Sequence, residues 1–402
     1  MATTPAFISR VLLGTALILG LSGCTAPAPA AVEDFSAALG TLRECVAASD
    51  GEATPGTLVW TVDLGSESWS TPVVVGSTAY LGADDGVLRA VNTATGTVEW
   101  KFVTEGAIRS EPLHVDDALY VVSDDGFVYA VGLDGKLLWS AEIGANDRAG
   151  DFSNYGSRAE AAGSLLVVAG GNGVVHALER SSGEPRWTFD TEGPIQANIA
   201  VGGGRAYVAS DVGRIFSLDL ATGEESWSLS TGLPATTHPA YSDGVVVVGS
   251  RSTRLLALDA ATGDELWNKQ YGTSWVQSGA TIVDGVIITG SSDIGEVRAY
   301  TIASGEAAWR VTIGGWAWGT PVECDGAVYM TSMRPERMQP WDVAVHALAT
   351  ADGALMWEAG TGEARDWHPD GLAMYGAGAS AAVAPGVIVV PGLDGVLYGF
   401  QR

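Results

Sequence analysis

An all-β fold, an eight-bladed propeller of four-stranded antiparallel blades, is predicted by three features of the sequence. A tryptophan recurs every 39–48 residues, at Trp60, Trp100, Trp139, Trp187, Trp227, Trp267, Trp309 and Trp357. Each of these from Trp100 onward closes a similar stretch, as in HALERSSGEPRW, FSLDLATGEESW and LALDAATGDELW. Between them run short apolar segments broken by Gly-Ser, Asp-Gly and Thr-Gly turns. A period near forty residues marks a propeller or another array, because one small sheet cannot bury its own faces and must stack on its neighbours.

The elements follow in chain order. Arg10 precedes an apolar run from Val11 to Leu21, too short to span a bilayer and of signal-peptide length. It leads into Leu21-Ser22-Gly23-Cys24, which resembles a bacterial lipobox. Residues 1–23 are therefore expected to be a lipoprotein signal peptide, with Cys24 the lipidated new N-terminus. No later apolar run is long enough to span a bilayer, so Cys24 would tether the body to a membrane of the cell envelope, facing the periplasm or the exterior. Residues 24–55 read as a linker. Its Pro/Ala stretch is extended, and Val32, Phe35, Leu39, Leu42 and Val46 recur at helical spacing across roughly 33–48.

Residues 56–402 are expected to form the propeller. The first unit splits into TPVVVG, TAYLGA, VLRAVN and TVEWKF, four strands separated by Gly76-Ser77, Asp84-Asp85-Gly86 and Thr95-Gly96. Seven complete units end at Trp357. The remaining C-terminal segment supplies three strands, and the missing fourth is available as GTLVWTVDL around Trp60. Joining the two ends closes the ring and leaves no free sheet edge. The repeated tryptophans are expected to pack against the neighbouring blade. Burying one indole covers ~150–250 Å², worth roughly 4–6 kcal/mol before entropy.

Composition narrows the function. Net charge is −26 over 402 residues, which argues against nucleic-acid binding. Three cysteines, Cys24, Cys45 and Cys324, exclude a disulfide-rich scaffold and a cysteine-cluster zinc site. After lipidation Cys45 and Cys324 remain; outside the cytoplasm they either pair or stay as one buried and one free thiol. The five histidines are dispersed without ligand spacing, and His176 and His346 fall at equivalent repeat positions, as strand-surface residues would. Asp84-Asp85-Gly86 suits a hairpin turn better than a Ca²⁺ loop. No catalytic residue, metal site or cofactor site is expected.

Unit lengths show where the surface is elaborated. The connections from Trp139 to Ala159 and from Trp357 to Ala381 are long, and the seventh unit carries an insertion from Met333 to Trp341. In an up-and-down blade these loops emerge on one face, and long loops on a rigid scaffold are where function concentrates. Trp69, Arg109, Trp275, Trp316, Trp318, Arg334, Trp341, Trp367 and His368 lie in or beside these rim loops. Aromatics with arginine are typical of binding hot spots, so these nine residues are the candidate partner-binding surface; the alternative is that they plug the funnel or pack the loops.

The A-x-D-x-x-x-G-x-x-x-W pattern, seen at Leu218-Asp219 to Trp227 and Leu258-Asp259 to Trp267, resembles the PQQ-like (quinoprotein) β-propeller repeat over about residues 56–402. One branch of that family, the quinoprotein alcohol dehydrogenases, holds PQQ with Ca²⁺ and uses a vicinal Cys-Cys pair and a catalytic Asp. This chain has no adjacent cysteines and no position matching that Asp. It is more similar to the BamB-like lipoproteins, whose resemblance implies a cofactor-free, membrane-anchored, monomeric scaffold of outer-membrane barrel assembly. The alternatives are a PQQ-dependent dehydrogenase or PQQ-binding protein, and a receptor for envelope glycans or small ligands. In a host with a single membrane only the scaffold class would survive.

Overall fold

In a computed structural model the chain folds into eight four-stranded antiparallel sheets. The structure describes residues 54–145, 156–335, 344–362 and 374–402, all within one compact unit spanning residues 34–402. Blade 1 comprises Val73–Val75, Thr78–Leu81, Val87–Asn92 and Val98–Val103, and blades 2 to 7 repeat the order. Cys24, Cys45 and the helix expected over 33–48 lie outside the described residues.

Burial follows strand position. The middle strands are covered on both faces by neighbouring blades and read as unbroken apolar runs, as in Leu165–Ala169 and Val387–Pro391, where every residue is buried. The outer strands alternate between exposed and half-buried, as in Leu137–Glu142, because only one face meets a neighbour. Core clusters accordingly span pairs of adjacent blades; one joins Val167 and Val175 of blade 3 to Val208 and Phe216 of blade 4.

Blade 8 is closed as expected. Its three C-terminal strands are completed on the outside by Leu58–Asp63, paired antiparallel with Val396–Gln401. The joint reproduces the bonding of an uninterrupted blade. In blade 1 the turn bonds are Asn92 N–H to Thr97 O and Gly96 N–H to Asn92 O. In blade 8 Gln401 N–H donates to Thr57 O and Gly56 N–H to Gln401 O, although the chain is not continuous there.

The repeat motif is an inter-blade clamp. From Trp60 to Trp309 each repeat indole Nε1–H donates to a backbone carbonyl in the next blade's outer turn, for example Trp187 to Leu220 at 2.8 Å and Trp227 to Ala260 at 3.0 Å. The ring lies over that turn's glycine. A Cβ on Gly223 would stand 2.6 Å from Trp187, and Gly223 has φ +76°, so only glycine satisfies both demands. Trp357 meets Gly56 in the same way, at 3.1 Å and φ +81°, across the break between chain ends. The motif's aspartate shapes the turn: Asp219 Oδ1 accepts from the N–H groups of Ala221 and Thr222, both at 3.0 Å.

Candidate functional site

The turns between second and third strands and the loops leading into each inner strand share one face, the mouth of the ring. Arg109, in the loop entering blade 2, shows this directly. It donates to both Asp84 oxygens, at 2.9 and 2.7 Å, and to Asp124 at 2.8 Å, so it staples the Asp-Asp-Gly turns of blades 1 and 2 together. Those turns act as hairpins with an arginine partner; among the described residues no group of three or more His, Cys, Asp or Glu could hold a metal.

Two of the expected insertions meet each other on this face. Met333–Pro335 pairs antiparallel with Met374–Gly376 in a two-stranded ribbon above blades 7 and 8, and Trp316 bridges to Met333 beneath it. Of the candidate partner residues, Trp341, Trp367 and His368 lie outside the described residues. Trp69, Trp316 and Trp318 are brought together in the structure. They are buried in one cluster with Met333 and Leu393, and Trp316 stacks on Trp318 at 5.4 Å between ring centroids. Arg334 is likewise covered, its guanidinium donating to Ile313 O at 2.7 Å. Trp275 is half-buried and lies under the Arg251 guanidinium, 4.9 Å from its ring centroid.

His346 departs from the strand-surface expectation. It is 1% exposed, as buried as Phe216 and Leu256 at the equivalent positions of blades 4 and 5; Ser332 Oγ lies 3.0 Å from its Nε2. Burial, with the nearby Arg334 charge, pushes its pKa down to about 3, so it is neutral. On the opposite face Cys324 ends the inner strand Val322–Cys324 and is disulfide-bonded, to a partner outside the described residues.

Inside the mouth the inner strands frame a cavity of about 270 Å³. Its wall is uneven. The residue that leads into each inner strand is Thr71, Thr320 or Ser380 on blades 1, 7 and 8, but Glu111, Arg158, Asn198 or His238 on blades 2 to 5. Arg158 is held between two buried carboxylates, 2.9 Å from Glu111 and bonded to Glu160. Burial raises the Glu160 pKa, opposed by the Arg158 charge. The Arg158 backbone N–H donates to Asn198 Oδ1 at 2.7 Å, which leaves Asn198 Nδ2 facing His238 Nδ1 at 3.1 Å. Since Nδ2 can only donate, His238 Nδ1 accepts and the ring proton sits on Nε2. Sequence reading missed this half-ring. Its signal was the position eleven residues after a repeat tryptophan, where Glu111, Asn198 and His238 replace the Ser or Thr of other blades.

The quinone cofactor of the alcohol dehydrogenases does not fit here. Three carboxylates on that group call for uncommitted cations, yet Arg109 and Arg158 are each already bracketed by two carboxylates. Each of these arginines is outnumbered by its two carboxylate partners, which disfavours an anionic guest.

Comparison with known proteins agrees with this architecture. A family model described as outer membrane protein assembly factor BamB matches residues 43–171, 134–277 and 171–314. The outer membrane protein assembly factor BamB of Moranella endobia is 29% identical over 149 residues, covering 34% of this chain and 38% of that protein, so the match spans little over a third of that relative. The crystal structure of BamB from Moraxella catarrhalis superposes with a TM-score of 0.63 at 20% identity, over 86% of this chain and 99% of that one. Quinohemoprotein alcohol dehydrogenase from Comamonas testosteroni gives the same TM-score at 14% identity, over 86% and 76% of the two chains, a likeness of fold alone. The family match covers more than half of the sequence, and the chain belongs to the family of the outer membrane protein assembly factor BamB.

Proposed function

We propose that this propeller is a non-enzymatic, protein-binding scaffold of the cell envelope, tethered through lipidated Cys24 and serving outer-membrane barrel assembly. The observation that carries this reading is the mouth face. There a rigid ring presents a ribbon built from two separate insertions, Met333–Pro335 and Met374–Gly376, with no fitting cofactor cradle beneath it. Family membership supports a barrel-assembly partner. Trp69, Trp316, Trp318, Arg109 and Arg334 support this surface from within. Direct contact falls to Trp275 with Arg251, and to Trp341, Trp367 and His368 in the connections beyond the ribbon strands.

The lipobox supports the anchor, and the disulfide of Cys324 supports pairing with Cys45, since lipidation commits Cys24. Non-reducing peptide mapping of the mature protein is expected to recover a Cys45–Cys324 peptide. The scaffold role is tested by purifying the membrane-anchored chain from its native envelope. Barrel-assembly components are expected to co-purify and to be lost from the Trp275→Ala, Trp341→Ala double variant. Their absence from the parent preparation, or dye-linked alcohol oxidation after adding PQQ and Ca²⁺, would overturn the reading.

A further inference from the structure

We propose that the mouth cavity is a binding site for a single neutral or amino-bearing sugar ring. The proposal stands apart from the scaffold role, because it concerns the hub and not the rim. Size comes first. Drug-sized ligands occupy pockets of about 300–1,000 Å³, and this cavity of about 270 Å³ has room for about one pyranose.

The chemistry of the wall is next. A sugar hydroxyl both donates and accepts, so it needs both kinds of partner at close quarters. One side of the cavity carries the acceptor carboxylates Glu111 and Glu160 and the donors Arg158 and Asn198; the other carries the hydroxyls of Thr71 and Thr320. Trp69 and Trp318 add apolar surface for the carbon face of a ring.

These groups are fixed before any ligand arrives. Arg158 is held by two carboxylates, and Asn198 by a backbone N–H and His238. Trp318 is stacked on Trp316. Trp69 packs on Gly378, where a Cβ would come 2.3 Å from the indole. Preorganisation of this kind lowers the entropic cost of binding. Charge sets the last restriction. Each lining arginine already faces two carboxylates, so an acidic sugar meets repulsion while a neutral or amino sugar does not.

The test titrates the full mature chain with D-glucose, N-acetyl-D-glucosamine, D-glucosamine and D-glucuronate, read by calorimetry and tryptophan fluorescence. At least one of the first three is expected to saturate a single site with a Kd below about 10 mM, and glucuronate is expected to bind most weakly. Ala240→Leu fills the cavity without removing a polar group and is expected to weaken binding at least tenfold at unchanged Tm. Glu160→Gln, read by the same titration, serves if that variant folds poorly and is expected to weaken binding as well. The proposal is overturned if none of the four saturates, if glucuronate binds tightest, or if the folded variant binds like the parent.

Discussion

The outer belt and the inner mouth of this propeller occupy equivalent places in every blade, yet they treat the repeat in opposite ways. On the belt the same pair, an indole over a left-handed glycine, recurs from Trp60 on Gly96 to Trp357 on Gly56. At the mouth the equivalent residue changes from Thr71 to Glu111, Arg158, Asn198 and His238. A contact needed to hold blade to blade must be made every time, because each interface is the same physical problem. A site needs different groups converging on one point, and a ring supplies them only by breaking its own symmetry. Repetition here marks structure, and departure from it marks recognition.

The contrast can be tested from the largest effect downward. Arg158→Met is expected to cost about 3–5 kcal/mol, because Glu111 and Glu160 would stay buried without their shared cation; urea unfolding measures it, and a loss under about 1 kcal/mol would show those carboxylates reach water. On the belt, Gly223→Ala and Gly204→Ala form a matched pair. Both glycines have φ +76°, but only Gly223 lies under an indole, whereas nothing stands within 4 Å of a Cβ at Gly204. Gly204→Ala should cost about 1 kcal/mol from backbone strain alone, and Gly223→Ala about 2–4 kcal/mol from strain with overpacking. Equal losses in denaturant melts would mean the clamp contributes nothing.

A smaller effect separates the mouth by pH. Burial raises the Asp211 carboxyl to about 6, with Arg251 and the Gln196 hydrogen bond opposing. Below about pH 4 the group is protonated folded or unfolded. As pH rises the unfolded chain ionises first, so stability falls between about pH 4 and 6 and stays lower above that. Asp211→Asn is expected to flatten that part of the stability–pH curve and to gain stability at pH 7; an unchanged curve would count against a buried carboxylate. Least costly of all, Trp275→Ala should shift stability by no more than about 1 kcal/mol while abolishing partner capture. A large drop in Tm would make Trp275 part of the core.

Much of this was legible in the sequence because it is periodic. The recurring tryptophans, the Asp-x-x-x-Gly turns and the count of seven units and three strands led to eight blades closed by the strand around Trp60. The rim aromatics were legible as a group but not as a surface. Trp69, Trp316 and Trp318 stand beside inserted loops, and nothing in their spacing says that they collapse onto Met333 and Leu393. His346 shows the same limit: its repeat position suggests a strand surface, and the packing of the folded ring buries it, as it buries Phe216 and Leu256 at the equivalent positions of blades 4 and 5.

Local patterning determined the blades, their number and the clamp between them, since alternation, turn chemistry and a left-handed glycine act over a few residues. Tertiary structure alone decided which side chains share the hub. Glu111, Arg158, Asn198 and His238 stand on four different blades, and ring closure, through the joining of the two chain ends, brings them around one cavity. Convergence of that kind is a property of the closed circle and is written in no single repeat.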